Sequence, residues 1–215
     1  MALGLLALGA CTLPKKDAPR PVVAVEPPTA EQVWKGIATA DDQARLARLD
    51  EAWQRGLADA RAVVSRADLN AEGKLLVPKA GETKPAPTPG SYSCRLITLG
   101  KEGGKGPSYQ KFKPFFCYVL VQDDQFTIVK QTGSQRPAGR LWDDNGGTNR
   151  LIFLGTLALG NEDEARAYGE DPRRDMAGVF ERIGPFKWRL VIPFPKDGAK
   201  LDVFELTPVP DQPAE

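Results

Sequence analysis

The fold turns on the stretch Phe186-Lys187-Trp188-Arg189-Leu190-Val191-Ile192-Pro193. In an extended chain successive side chains point to opposite faces. Phe186, Trp188, Leu190 and Ile192 therefore share one face, while Lys187 and Arg189 take the other. The run at 151–159 (LIFLGTLAL) behaves the same way: Leu151, Phe153, Leu157 and Leu159 fall together, and Gly155 stands where backbones approach closely. Working outward, the same alternation predicts strands at 91–99, 115–121, 125–131, 138–142, 150–159, 177–183, 186–193 and 201–206. Asp123-Asp124, Asn145-Gly146, Gly184-Pro185 and Asp197-Gly198 punctuate them as turns. About eight short sequential strands predict an antiparallel meander closed into a small, lipocalin-like barrel; a two-sheet sandwich is the alternative.

The fold class is thus α+β, mainly β, because one helical region precedes the strands. Over 31–67, Leu46, Leu49, Trp53, Leu57, Ala60 and Val64 recur at three and four residues, forming one apolar stripe. Thr39 is placed to cap that region. The stripe is expected to pack on the domain's own core, with a partner-binding arm as the alternative. The division that follows is a signal segment over 1–11, a Pro-rich tether over 12–30 and a helical arm over 31–77. A Pro-rich linker over 78–90, the β domain over 91–207 and a tail over 208–215 complete it. Asn161-Glu162-Asp163-Glu164 has the pattern of a capping box and predicts a short helix in the 161–176 connection.

Composition excludes several functions. The 215 residues contain no His, so imidazole acid–base chemistry, Ser-His-Asp triads and His-ligated metals are ruled out. Lys plus Arg is 29 and Asp plus Glu is 28, a net charge of +1, which argues against a nucleic-acid partner. KEGGKGPS (101–108) lacks the glycine and hydroxyl positions of a phosphate loop, and DDNGGT (143–148) lacks the alternation and closing Glu of a calcium loop. No catalytic residue, metal site or cofactor is expected, and the balance leans away from an enzyme.

MALGLLALGAC (1–11) resembles a bacterial lipobox, an apolar run and small residues before a cysteine. The resemblance implies lipidation of Cys11 and a membrane partner through an N-terminal lipid anchor. The protein would then face the periplasm in the bacterial envelope. By the same resemblance, Thr12 after the cysteine, in place of the Asp that often retains such lipoproteins in the inner membrane, implies the outer membrane. Cys94 and Cys117 remain as an even pair, as a periplasmic disulfide requires; two buried free thiols are the alternative.

The order of features is itself informative. The Trp-bearing helix and Pro-rich linker are followed by GSYSCRLITLG, PFFCYVLV, KQTGSQRPAGRLW, RLIFLGTLALG, RDMAGVFERIG and WRLVIPFP. Over about residues 31–207 the chain resembles domain-of-unknown-function family 4893, which comprises bacterial exported proteins and lipoproteins. The resemblance implies export and no particular activity.

The densest polar cluster is KQTGSQRPAGRLW (130–142). Lys130, Thr132, Ser134, Gln135, Arg136 and Arg140 supply donors suited to a carboxylate or phosphate, Trp142 an apolar rim, and Arg174 a cover for the barrel mouth. The competing reading is a strand connection whose donors serve its own backbone. The functional expectation is a non-enzymatic module binding a small or amphipathic ligand, with Arg136, Arg140 and Trp142 near the rim. The alternative is a protein-interaction module in the envelope, an inhibitor or an assembly accessory.

Overall fold

The computed structural model describes residues 30–101, 103, 106–144, 148–160, 162 and 165–209. The lipobox with Cys11, most of the tether, the Asn145-Gly146 turn, three of the four capping-box positions and the end of the tail lie outside the described residues.

Among the described residues nine strands form one antiparallel sheet: β1 (Gly90–Lys101), β2 (Tyr109–Lys111), β3 (Phe115–Gln122), β4 (Gln125–Lys130), β5 (Gln135–Asp143), β6 (Leu151–Leu159), β7 (Asp175–Gly184), β8 (Lys187–Pro193) and β9 (Ala199–Pro208). β1 pairs with β9 from Tyr92↔Pro208 to Lys101↔Ala199, which closes eight of the strands into a barrel. Closure removes the free edges a sandwich would leave. β1 is long because it serves three neighbours. Its first half carries β3 (Gly90↔Val119 to Cys94↔Phe115); at Ile97–Leu99, where β3 has diverged, β2 takes its place. All eight expected strands form. The three residues of β2 are too few to show alternation.

The lumen follows the parity read from the sequence. Trp188, Leu190 and Ile192 of β8 point inward with Leu151 and Phe153 of β6, Tyr92 of β1 and Phe180 of β7. Phe186 is the exception: it sits in the β7–β8 turn at φ 50°, well exposed. Gly139 and Gly155 are register partners across β5 and β6. A Cβ on Gly155 would lie 2.4 Å from the Ala138 carbonyl oxygen and 2.6 Å from Phe153 Cζ, so the bare backbone lets the Phe153 ring lie against the wall. Cys94 and Cys117, diagonal neighbours on β1 and β3, form a disulfide inside the barrel. Their Cα atoms are 6.1 Å apart.

The helical region wraps the outside as four short pieces: α1 (Ala30–Ile37), α2 (Ala40–Ala47), α3 (Leu49–Arg61) and α4 (Arg66–Asn70), followed by a 3-10 turn at Gly73–Leu76. Thr39 caps α2, its hydroxyl accepting from the Asp42 amide at 3.2 Å. The breaks at Ala38–Thr39 and Arg48 let an amphipathic face follow a curved wall. Trp53, Leu57 and Ala60 of α3 pack on Ile97, Leu99, Val191, Leu201 and Val203, so the arm is docked rather than free. β1, β8 and β9 are consequently buried on both faces.

Arg189, on the outer face of β8, is fully buried beneath this layer. It donates to the carbonyls of Lys74, Leu75 and Val77 at 2.7–3.0 Å and pairs with Glu181 at 2.6 Å. Its guanidinium also lies 5.0 Å from the Trp53 ring. The Pro-rich segment after the 3-10 turn is likewise fixed: Trp188 Nε1 donates to Pro85 O at 3.0 Å and Tyr92 Oη to Thr88 O at 2.5 Å, strapping it across the lower end of the barrel. The helix expected in the 161–176 connection is not formed by its described residues. Glu162 instead turns back, accepting from the Leu159 amide at 2.8 Å and pairing with Arg174 at 2.6 Å, so it is committed to closing a loop.

Candidate site in the barrel mouth

The two ends of the barrel differ. Tyr92, Trp188, Phe153 and Phe180 pack together toward the lower end, where the Tyr92 and Trp188 rings meet edge to face at 5.9 Å and a hollow of about 310 Å³ lies beside Phe126, Leu141, Trp142 and Leu151. The upper end is open. The connections β4–β5, β6–β7 and β8–β9 and the segment before β3 surround a pocket of about 720 Å³, within the range of small-molecule sites.

Its wall is apolar because inward-facing strand positions near this end carry Leu96, Phe115, Leu157, Met176, Ile192 and Phe204. Its rim is cationic because the loops and α2 bring Arg45, Lys113, Lys130, Arg173, Arg174 and Lys196 to the opening. Several of these are engaged already. Arg174 pairs with Glu162 and Asp171, and Arg45 with the buried Asp42, which also accepts from Tyr168 Oη at 2.5 Å. Lys130 is different. Its amine stacks on the Phe115 ring at 4.3 Å from the centroid and, among the described residues, no carboxylate acts on it. Burial and then the nearby Arg136 hold its pKa below the usual lysine value.

Acidic groups complete the site. Asp202 projects inward from β9 and accepts from Thr98 Oγ1 at 2.6 Å. Burial pushes its carboxyl up to about 7, against the pull of the Thr98 hydrogen bond and with a further push from Asp197. Asp175 accepts from the Gly169 amide at 3.0 Å through Oδ1, while its buried Oδ2 has no hydrogen-bond partner among the described residues; nor does Arg45 Nε. Chemically the mouth offers an apolar lining, an amine without a counter-ion among the described residues, and buried polar atoms with bonding capacity left over. Among the described residues no group of three or more Cys, Asp or Glu converges as metal ligands.

The cluster predicted at 130–142 is split by the pleat. Lys130, Thr132 and Gln135 line the mouth, as does Arg174 from the facing loop. Ser134 contributes its backbone carbonyl to the Gly160 amide at 2.9 Å. Arg136 stands at this end but outside, where its guanidinium donates to the carbonyls of Gly133, Gly160 and Glu162. Arg140 and Trp142 do not stand at the rim: even-numbered positions of β5 face outward. Arg140 pairs with Asp123 at 3.0 Å in the lower β3–β4 turn, and Trp142 packs beside Trp34 and Ile152 under α1. Asp202, Thr98, Arg45 and Lys196 were missed. In LDVFEL (201–206) both faces of β9 are buried, one on α3 and one in the lumen, so alternation did not mark Asp202 as inward.

The family model described as a domain of unknown function, DUF4893, matches residues 34–206, from within α1 to within β9. No curated protein and no solved structure matches the chain.

Proposed function

The chain belongs to the DUF4893 family, and we propose that its barrel is a binding module that takes a small amphipathic anion through the open mouth. The observation that carries this is Lys130: a half-buried amine without a carboxylate partner among the described residues, held over an apolar pocket of about 720 Å³. An anionic head bonded to it gains a charge-assisted contact, and the tail is buried against Leu96, Leu157 and Met176. The test is displacement of a fluorescent anilinonaphthalene sulfonate by decanoate and by decanol. Lys130→Met is expected to weaken decanoate by about tenfold or more and to leave decanol unchanged. No binding of either compound by the wild type, or equal loss of both in the variant, overturns the reading.

The same proposal places the module in the bacterial envelope, lipid-anchored at Cys11 and facing the periplasm, with the outer membrane favoured. The lipobox-like start and a disulfide suited to an oxidising compartment support this. Labelling cells with an alkyne palmitate tests it: label is expected on the wild type and absent from Cys11→Ser. A second reading, a protein-interaction module, is favoured by Phe116 and Leu120, exposed together on the outer face of β3 away from the docked helices.

A further inference from the structure

A second space of about 20 Å³ lies further into the lumen, bordered by Cys94, Cys117, Ile128, Phe153, Leu190 and Leu206, room for about one water molecule. The strands set a common depth scale for the two spaces. On β9, Leu206 borders only the inner one, Phe204 borders both, and Asp202 borders only the mouth. β4 repeats the order with Ile128, Lys130 and, just past its end, Thr132; on β8 Leu190 is inner and Ile192 outer. Phe115, Lys130, Pro137 and Phe204, which border both, therefore mark the inner end of the mouth pocket. Of the described cations on the mouth lining, Lys130 alone stands at that level. Arg45, Lys113, Arg173, Arg174 and Lys196 border the mouth only, as do the carboxyl groups of Asp175, Asp197 and Asp202.

We infer that the mouth takes its ligand head first: a compact carboxylate goes in to Lys130, and the acyl chain behind it points back to the opening. The outer level is a poor place for an anionic head. Arg174 is held there by Glu162 and Asp171, Arg173 by Asp171 and Arg45 by Asp42. Lys113 is exposed, where a charge pair contributes little. Asp175 and Asp197 stand at the same level and repel a second anion. The inner level offers one partly desolvated amine on which no described carboxylate acts, so a charge-assisted bond is strongest there. The head must be compact because the space beyond amounts to about 20 Å³. The chain behind it meets Leu96, Leu157, Met176 and Ile192. From Phe204 to Ala199, where the β1–β9 ladder ends at Lys101↔Ala199, the wall rises roughly 17 Å along the strand. A longer chain emerges into solvent, and its far end can carry a bulky group. The ligand class is thus an acyl chain with a terminal carboxylate, free or attached at its other end to something larger.

This inference rests on the proposed anionic-amphiphile site, and its test separates the two. Decanoate labelled with carbon-13 at the carboxyl or at the terminal methyl is bound to an excess of the full chain and exposed to a neutral gadolinium chelate. The methyl resonance is expected to be lost to broadening while the carboxyl resonance stays sharp. A dodecanoate with pyrene on its last carbon is expected to displace the sulfonate probe as well as dodecanoate does. Dodecylphosphocholine, which carries its bulk at the head, is expected to displace none. A wild type that binds no decanoate overturns the underlying site. Bound decanoate whose carboxyl broadens as much as its methyl, or more, overturns the head-first orientation alone. A pyrene-tipped acid that fails to displace the probe overturns the open far end, and dodecylphosphocholine that displaces it as dodecanoate does overturns the compact head.

Discussion

Asp202→Asn isolates one term in the stability of this barrel. The Asp202 carboxyl is sequestered in the lumen, bonded by Thr98 Oγ1, and raised to about 7 by burial. In the unfolded chain an aspartate titrates near about 3.9. A raised folded pKa means that the native state holds a proton the unfolded chain has released. Its stabilising contribution is whole below about pH 4, falls as pH climbs, and is gone above about pH 7. Between pH 5 and pH 8 the linkage integral amounts to roughly 2.5 kcal/mol lost. The carboxylates shifted the other way (Glu51, Glu72, Glu82, Glu162, Asp171 and Glu205) sit below their usual values and so act at lower pH. The window from 5 to 8 therefore reports mainly on Asp202. Asparagine keeps an acceptor for Thr98 and cannot ionise. Urea unfolding at half-unit pH steps is expected to show wild-type stability declining across this window and the variant nearly flat, the variant being the more stable at pH 8. Equal slopes in the two proteins would refute the buried-carboxyl reasoning.

Three other perturbations follow from the packing. Arg189→Met leaves Glu181 without its buried partner and three carbonyls without their shared donor; a loss of about 3–5 kcal/mol is expected in chemical denaturation, with the segment 72–85 becoming sensitive to proteases. Gly155→Ala puts a Cβ within 2.6 Å of the Phe153 ring and 2.4 Å of a backbone oxygen, and is expected to cost at least about 1–3 kcal/mol, read as a lowered melting temperature. Cys94→Ala with Cys117→Ala opens a loop of sequence separation 23; it is expected to lower stability by about 3 kcal/mol, and reducing agent should then have no further effect.

Much of the barrel was legible because its strands are short, sequential and bounded by turn residues. At Trp188, Leu190 and Ile192, and at Leu151 and Phe153, period-two patterning assigned the inward face correctly without tertiary information. It failed where its contrast vanished. On β9, Leu201 and Val203 meet α3 while Phe204 and Leu206 fill the lumen, and Asp202 sits among them on the inward side. The polar cluster at 130–142 was identified by density rather than by parity. Density cannot tell Lys130 and Gln135, which look into the mouth, from Arg140 and Trp142, which look out and stand toward the other end.

The sequence by itself determined eight of the nine described strands, the N-cap at Thr39, the close approach at Gly155 and the membership later matched over residues 34–206. Each is a local property, carried by side-chain period, by capping chemistry or by the conformations a few residues allow. Closure into a barrel, the Cys94–Cys117 disulfide and packing of the helical arm were expected from the sequence beside an alternative for each, and the tertiary structure chose between them; it alone decided that β1 and β9 make the seam and that Arg45, Lys130, Arg174 and Asp202 converge on one opening. Those residues are separated along the chain by up to most of the domain. What brings them together is burial of two apolar surfaces at once, the lumen and the outer face beneath α3, and no local pattern encodes how the two are apportioned.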